Sequence, residues 1–123
     1  MLKPHPWWLF WLNRKRWISI YPHIYHPVYI NPIYYPAIIS HEDVHLIQQQ
    51  NYGLIKWIFK YIFNRKFRLH AEAEGIAAEL YISKDSPNFY VDQLCSSAYL
   101  WAAKSKEEAL EVINAAIKNY ARL

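Results

Sequence analysis

The sequence predicts an α+β fold, mostly α: a short, Pro-rich β-ribbon packed on a helical bundle. Three observations carry this expectation. Six of the 7 prolines lie within the first 36 residues, where their spacing forbids long helices and central strands and leaves edge strands and turns. Beyond residue 36 the apolar residues recur at helical spacing. With 123 residues, 54% of them hydrophobic, the chain can enclose a real core and reads as one domain. Its parts are a Pro/aromatic-rich extension and ribbon (1–36), a helical middle (37–83) and C-terminal helices (84–123).

Within the first part, "RWISIY" (Arg16–Tyr21) and "HPVYIN" (His26–Asn31) carry the β-branched and aromatic residues of strands, bounded by Pro or Asn. A first helix is expected over Ala37–Tyr52, with Gly53 as its C′ residue. Leu54–Asn64, "LIKWIFKYIFN", is apolar almost all round, so it should be central to the core or pressed against a partner. A third helix, Leu69–Ser83, places Leu69, Ala73, Ile76 and Leu80 on its core face. From Pro87 onward two helices divide near Lys104, where Ser105 and Glu108 have the spacing of a capping box.

Composition narrows the function classes. The net charge of +4 and pI near 9.1 come from scattered cations and two short clusters, Arg14-Lys15-Arg16 and Arg65-Lys66-Phe67-Arg68. No nucleic-acid-binding motif accompanies them, so nucleic acid is not an expected partner. The 65–68 cluster reads as the solvated end of a helix junction, or as a contact for phosphate or acidic headgroups. The lone Cys95 excludes an internal disulfide and reads as a small core residue. No apolar run approaches the roughly 20 residues of a membrane span, and "WWLFWL" (residues 7–12) is short for a signal peptide. The composition is compatible with cytoplasm or virion. Trp and Phe beside Arg and Lys in "PHPWWLFWLNRKRW" suit a membrane interface, a partner's groove or packing over the core.

The chemistry concentrates in His41-Glu42-Asp43-Val44-His45. Residues four apart stack on one helix face, so His41 and His45 can point two imidazoles at one cation. Glu42 lies about 100° around the helix from His41, within reach of a water held there. Ile38, Val44, Leu46 and Ile47 suggest a largely buried helix, and buried polar groups need partners. Neutral imidazoles suit zinc, which lowers the pKa of its water toward ~7 so that a neighbouring carboxylate can take the proton. A third ligand is sought on "RLHAEAEGIAAELY". Glu72 falls about 60° from the centre of that helix's core face, Glu79 about 80° and Glu74 about 140°. Glu72 is therefore the expected ligand and Glu74 a surface charge, with Gly75 allowing close helix approach. One Zn2+ per chain is expected. His5, His23 and His26 read as ordinary surface histidines, because three-residue spacing on a strand puts His23 and His26 on opposite faces.

"HEDVHLIQQQNYGLIKWIFKYIFN" followed by "AEAEG" resembles the minimal gluzincin-type zinc metallopeptidases, small single-domain proteins of bacterial and phage genomes. The resemblance covers roughly Trp17 to Ile82 and includes "YINPIYYPAII" as an edge strand leading into the active-site helix. It implies His41, His45 and Glu72 as metal ligands, Glu42 as general base and Gln48 as the family's glutamine, in a zincin-like fold acting on a peptide or protein substrate. An extended substrate would pair near Val28–Tyr35. Such relatives can also carry an extension that blocks the cleft, a role open to the N-terminus or to the residues beyond Lys84. Two departures stand out. Many gluzincins have an acid four positions after the third ligand, where this chain has Ile76. The oxyanion donor is also unassigned, with Tyr52, Tyr81 and His70 as candidates. Both leave room for the alternative, a catalytically inactive, zinc-stabilised structural or interaction protein, such as a virion or membrane-associated component.

Overall fold

The computed structural model describes residues 2–4, 17–27 and 35–121. Strands β1 (Leu2–Pro4), β2 (Ile18–Ile20) and β3 (His23–His26) precede five helices: α1 (Tyr35–Tyr52), α2 (Leu54–Phe63), α3 (Arg65–Ser83), α4 (Asn88–Leu94) and α5 (Lys106–Ala121). A short 3-10 turn, Ser97–Tyr99, lies between the last two helices. The architecture is α+β and mostly α, as expected.

The small sheet has the order β1-β3-β2. β2 runs antiparallel to β3, pairing Ser19 with Ile24, while β1 lies parallel to β3, pairing Lys3 with Tyr25. The expected first strand thus contracts to residues 18–20. β3, His23–His26, was not expected as a strand and stops before Pro27, which has no N–H to continue the ladder; most of the expected second strand, His26–Asn31, lies outside the described residues. Residues 28–34, including most of the stretch expected to receive substrate, lie outside the described residues. β1 carried no sequence signal, since three residues with a terminal proline show no alternation and their parallel pairing is a long-range choice.

The core forms where α3, α4 and α5 meet. Leu69, Ala73, Ile76 and Leu80 of α3 pack with Tyr90, Val91 and Leu94 of α4, and with Ala102, Ala103, Ala109 and Ile113 before and along α5. Cys95 packs half-buried against this cluster. Ser105 caps α5 by accepting from the Glu108 N–H, while Glu108 Oε1 accepts from the Lys104 N–H at 2.8 Å. Glu108 also pairs with Arg65 of α3 at 2.6 Å, which ties α5 to the start of the central helix.

Two expectations about the middle helices are corrected. Only Trp57 of α2 is buried; Ile55, Phe59, Ile62 and Phe63 face outward, so of the two readings of α2 a place at the centre of the core is ruled out, and contact with a partner is left. One face of a ten-residue helix packs on α1 and α3, and nothing described covers the other. The third helix begins at Arg65, four residues earlier than expected, because the Asn64 side chain caps it by accepting from the Phe67 N–H. Arg68 is therefore inside a helix and buried. Its guanidinium donates to the carbonyls of Tyr61, Ile62 and Leu100 and staples the end of α2 to the 97–102 segment. Gly53, with φ of 84° and ψ of 136°, takes a positive-φ conformation that glycine adopts readily, and α2 starts directly after it.

Candidate metal centre

α1 buries its polar face. His41, Glu42, His45, Gln48 and Gln49 are all buried, whereas Ile38, Val44 and Leu46 are half-buried and Ile47 is 56% exposed. The apolar residues singled out from the sequence are thus not what buries this helix; α3 and β2 lie against the polar side instead. Gln49 fixes β2 by donating to Ser19 O at 2.9 Å and accepting from the Tyr21 N–H at 2.7 Å.

Across from α1, α3 presents Glu72. Its Oε1 lies 3.1 Å from His41 Nε2 and 3.1 Å from His45 Nε2. The three ligand atoms all fall within 4.8 Å of one another, and the imidazole centroids are 5.0 Å apart. Two metal–ligand bonds of about 2.0 Å at the tetrahedral angle separate their donors by about 3.3 Å. The spacing therefore suits one shared ion.

Close approach of the helices depends on Gly75. A Cβ at that position would stand 2.7 Å from His41 Cδ2 and Nε2, inside the contact distance of any carbon.

Hydrogen bonding sets the imidazole tautomers. Trp57 Nε1–H can only donate, and it donates to Gln48 Oε1 at 3.2 Å. Gln48 Nε2 in turn donates to the Ala71 carbonyl at 3.2 Å and to Glu74 at 2.8 Å. The amide orientation is thereby determined by its partners. His45 Nδ1, 3.1 Å from Gln48 Oε1, must then be the N–H. His41 Nδ1 faces Glu79 Oε1 at 2.9 Å, again a donor to oxygen. With both Nδ1 atoms protonated, both Nε2 lone pairs point at the Glu72 oxygen. Three acceptors converge without a donor, an arrangement that only a cation or added protons can hold together.

The titration directions agree with a cluster that takes up positive charge. Burial works against charging His41, but hydrogen bonds to Glu72 and Glu79 outweigh it and push the imidazole up to about 10. His45 moves the same way, burial being outweighed by Glu72. Burial alone would lift Glu72, yet the two histidines hold it well below the carboxylate range. Glu42 is raised, because burial outweighs the nearby histidines and the Ser19 hydroxyl, which donates to its Oε2 at 2.5 Å.

Sequence reasoning missed the carboxylate that orients His41. Ile76 occupies the expected position and belongs to the core; Glu79, two helical turns beyond Glu72, does the orienting. Seven residues advance an α-helix by about 700°, nearly two whole turns, so Glu79 lies on the same face as Glu72. The Tyr90 hydroxyl holds the other Glu79 oxygen, and the Tyr61 hydroxyl holds Glu72 Oε2. Burial and Glu79 keep the Tyr90 phenol protonated by raising it strongly. Glu74 is exposed, as expected, but its bond to Gln48 makes it part of the His45 support rather than a free surface charge.

His41, Glu42, His45, Glu72 and Glu79 line a cavity of about 470 Å³, with Ser19, Trp57, Tyr61, Tyr90 and Tyr99 on its walls. Tyr90 and Tyr99 bring the segment beyond Lys84 to the cavity. Tyr52, Tyr81 and His70 do not line it; all three are exposed, and Tyr52 packs on Phe67 and Tyr81 on Tyr120. Of the other histidines, His23 and His26 lie on β3 outside the cluster, and His5 is outside the described residues, as are the aromatic residues 7–12.

No protein-family model matches the chain, and neither a curated protein nor a solved structure matches it. The cluster's chemistry therefore stands on its own geometry. His41, His45 and Glu72 form a buried group compatible with a metal ion.

Proposed function

We propose that the protein is a zinc-dependent hydrolase of peptide bonds, with His41, His45 and Glu72 holding the ion. The observation that carries this reading is the convergence of two Nε2 lone pairs and one carboxylate oxygen beside a cavity, with a buried carboxylate next to them. Two nitrogens and one oxygen form the donor set that zinc uses in catalytic sites, where the fourth position is left to water or substrate. Zinc bound there would polarise the scissile carbonyl and acidify a water.

The chain's own groups supply the rest. Ser19 holds Glu42 Oε2, which leaves Oε1 to take a proton from the attacking water and pass it to the departing amine. The raised proton affinity of the buried Glu42 suits it to that exchange nearer neutral pH. Glu79 and Gln48 keep the imidazoles in the ligating tautomer. Tyr61 and Tyr90 also line the cavity, and their hydroxyls hold the carboxylates of Glu72 and Glu79 in place.

A second reading, a metal held only for stability, draws on the short Ser19–Glu42 bond, which ties the expected base to β2. One pair of measurements separates the two. Elemental analysis should give about one zinc per chain, retained in Glu42→Gln and lost in His45→Ala. Cleavage of an unstructured protein substrate should require Glu42. A zinc-loaded wild type without turnover, or full activity in Glu42→Gln, would reject the hydrolytic mechanism.

A further inference from the structure

The outer face of α2 is unexplained by the metal centre. Ile55, Phe59, Ile62 and Phe63 recur at i, i+4, i+7 and i+8, hence on one side of the helix. They are 67%, 59%, 51% and 77% exposed, and the rings of Phe59 and Phe63 stack at 5.9 Å. Together they expose on the order of 500 Å² of apolar surface, near the upper end of what a monomer leaves in one patch. The helix does not need that face to be held in place. Trp57 and Tyr61 on its inner side stack at 4.8 Å and bond Gln48 and Glu72.

The charge along this stretch of the chain is one-sided. From Leu46 through Ala71 the sequence has no Asp or Glu and five Lys or Arg. Arg65 and Arg68 are spent on internal bonds, and Lys60 lies over the rings of Tyr52 and Phe67. Lys56 and Lys66 are exposed, one beside the strip and one just past its end. Two more large apolar residues, Leu100 and Trp101, are 47% and 61% exposed. Both adopt positive φ, 54° and 49°, a conformation that non-glycine residues seldom take in succession. Arg68 ties their loop to the last turn of α2 through the carbonyls of Tyr61, Ile62 and Leu100.

We propose that this face seats the protein on an anionic lipid bilayer. The α2 side chains enter the boundary between headgroups and acyl chains, and Lys56 and Lys66 meet the phosphates. The strip offers hydrocarbon and aromatic rings but no donors or acceptors. A protein partner's interface would normally pair polar groups with it, whereas the acyl boundary asks for none, and the unbalanced cations match a negative surface potential. At ten residues, α2 is about 15 Å long, and no described helix is long and apolar enough to cross a membrane. An amphipathic helix of this kind lies in the plane of the interface.

Flotation of the purified full chain with vesicles tests the proposal without any readout of hydrolysis, so neither idea's failure would stand for the other's. The chain should float with vesicles that are one-third phosphatidylglycerol, and at least ~10-fold less with pure phosphatidylcholine. Replacing both rings (Phe59→Ser with Phe63→Ser) should cut partitioning by at least ~10-fold. Ile55→Ser with Ile62→Ser serves as a second pair, and both pairs should keep the parent's circular dichroism and metal uptake. Lys56→Glu with Lys66→Glu should abolish the preference for anionic vesicles. Flotation with neither composition would overturn the proposal, as would flotation indifferent to the α2 variants. A parent chain that dimerises through this face, becomes monomeric in the Phe59/Phe63 variant and ignores vesicles would reassign the surface to a contact between copies.

Discussion

Gly75→Ala sets two effects of opposite sign against each other. Inside a helix, alanine is favoured over glycine by about 0.8–1.0 kcal/mol, so propensity predicts a stabilised α3. The new methyl, however, would stand 2.7 Å from His41 Cδ2 and Nε2 and 3.1 Å from Cε1. Relief to ordinary carbon contact requires the imidazole or α3 to move by roughly 0.7 Å. Overpacking of this kind costs about 1–3 kcal/mol, which offsets or exceeds the helical gain. The more sensitive reporter is the metal, because a bound ion tolerates ligand distances only within about 0.2 Å of ideal. A displaced His41 should weaken zinc affinity by at least ~10-fold, a loss comparable to removing a supporting hydrogen bond. Competition against a fluorescent chelator measures the affinity, and thermal melting of the chelated protein measures the fold. A Gly75→Ala protein that binds zinc as tightly as its parent and melts higher would refute the claimed fit between Gly75 and His41.

The remaining expectations concern the same cluster. Glu79→Ala removes the acceptor of the His41 Nδ1 proton, so zinc affinity should fall by about 10–100-fold while the circular dichroism stays native; an unchanged chelator titration would remove Glu79 from the site. In chelated protein, His41 binds its proton up to about pH 10 when folded, against about 6.5 when unfolded. The folded state therefore holds more protons in that window, and the contribution, present in full below about pH 6.5, is lost as pH rises toward 10. Guanidinium unfolding should show a decline on the order of a few kcal/mol across that range. His45, also raised, adds to the decline, while Glu42 and Glu72 face the same cluster. Zinc-saturated protein should escape this loss, since the metal takes the place of the titrating proton on Nε2; a flat profile for the chelated chain would contradict the cluster's charge assignment.

Much of this centre was legible in the linear order of residues because helical geometry is local. A spacing of four brings His41 and His45 to one face whatever the surroundings. The same angular reasoning put Glu72 beside the core face of α3 and Leu69, Ala73, Ile76 and Leu80 within it. The Pro-rich start and helical remainder likewise sufficed for an α+β, mostly α fold.

What only the tertiary structure decided depends on neighbours distant in sequence. Glu79 orients His41 because its carboxylate reaches Nδ1 across the α1–α3 contact, while Ile76, four positions past Glu72, packs into the core. The imidazole tautomers follow from Gln48, whose orientation is imposed by Trp57 on another helix. α2 looked like either a core helix or one pressed against a partner, because its composition is apolar almost all round. Composition cannot say how many faces will find a partner: one side of α2 walls the metal centre, while nothing among the described residues covers the other.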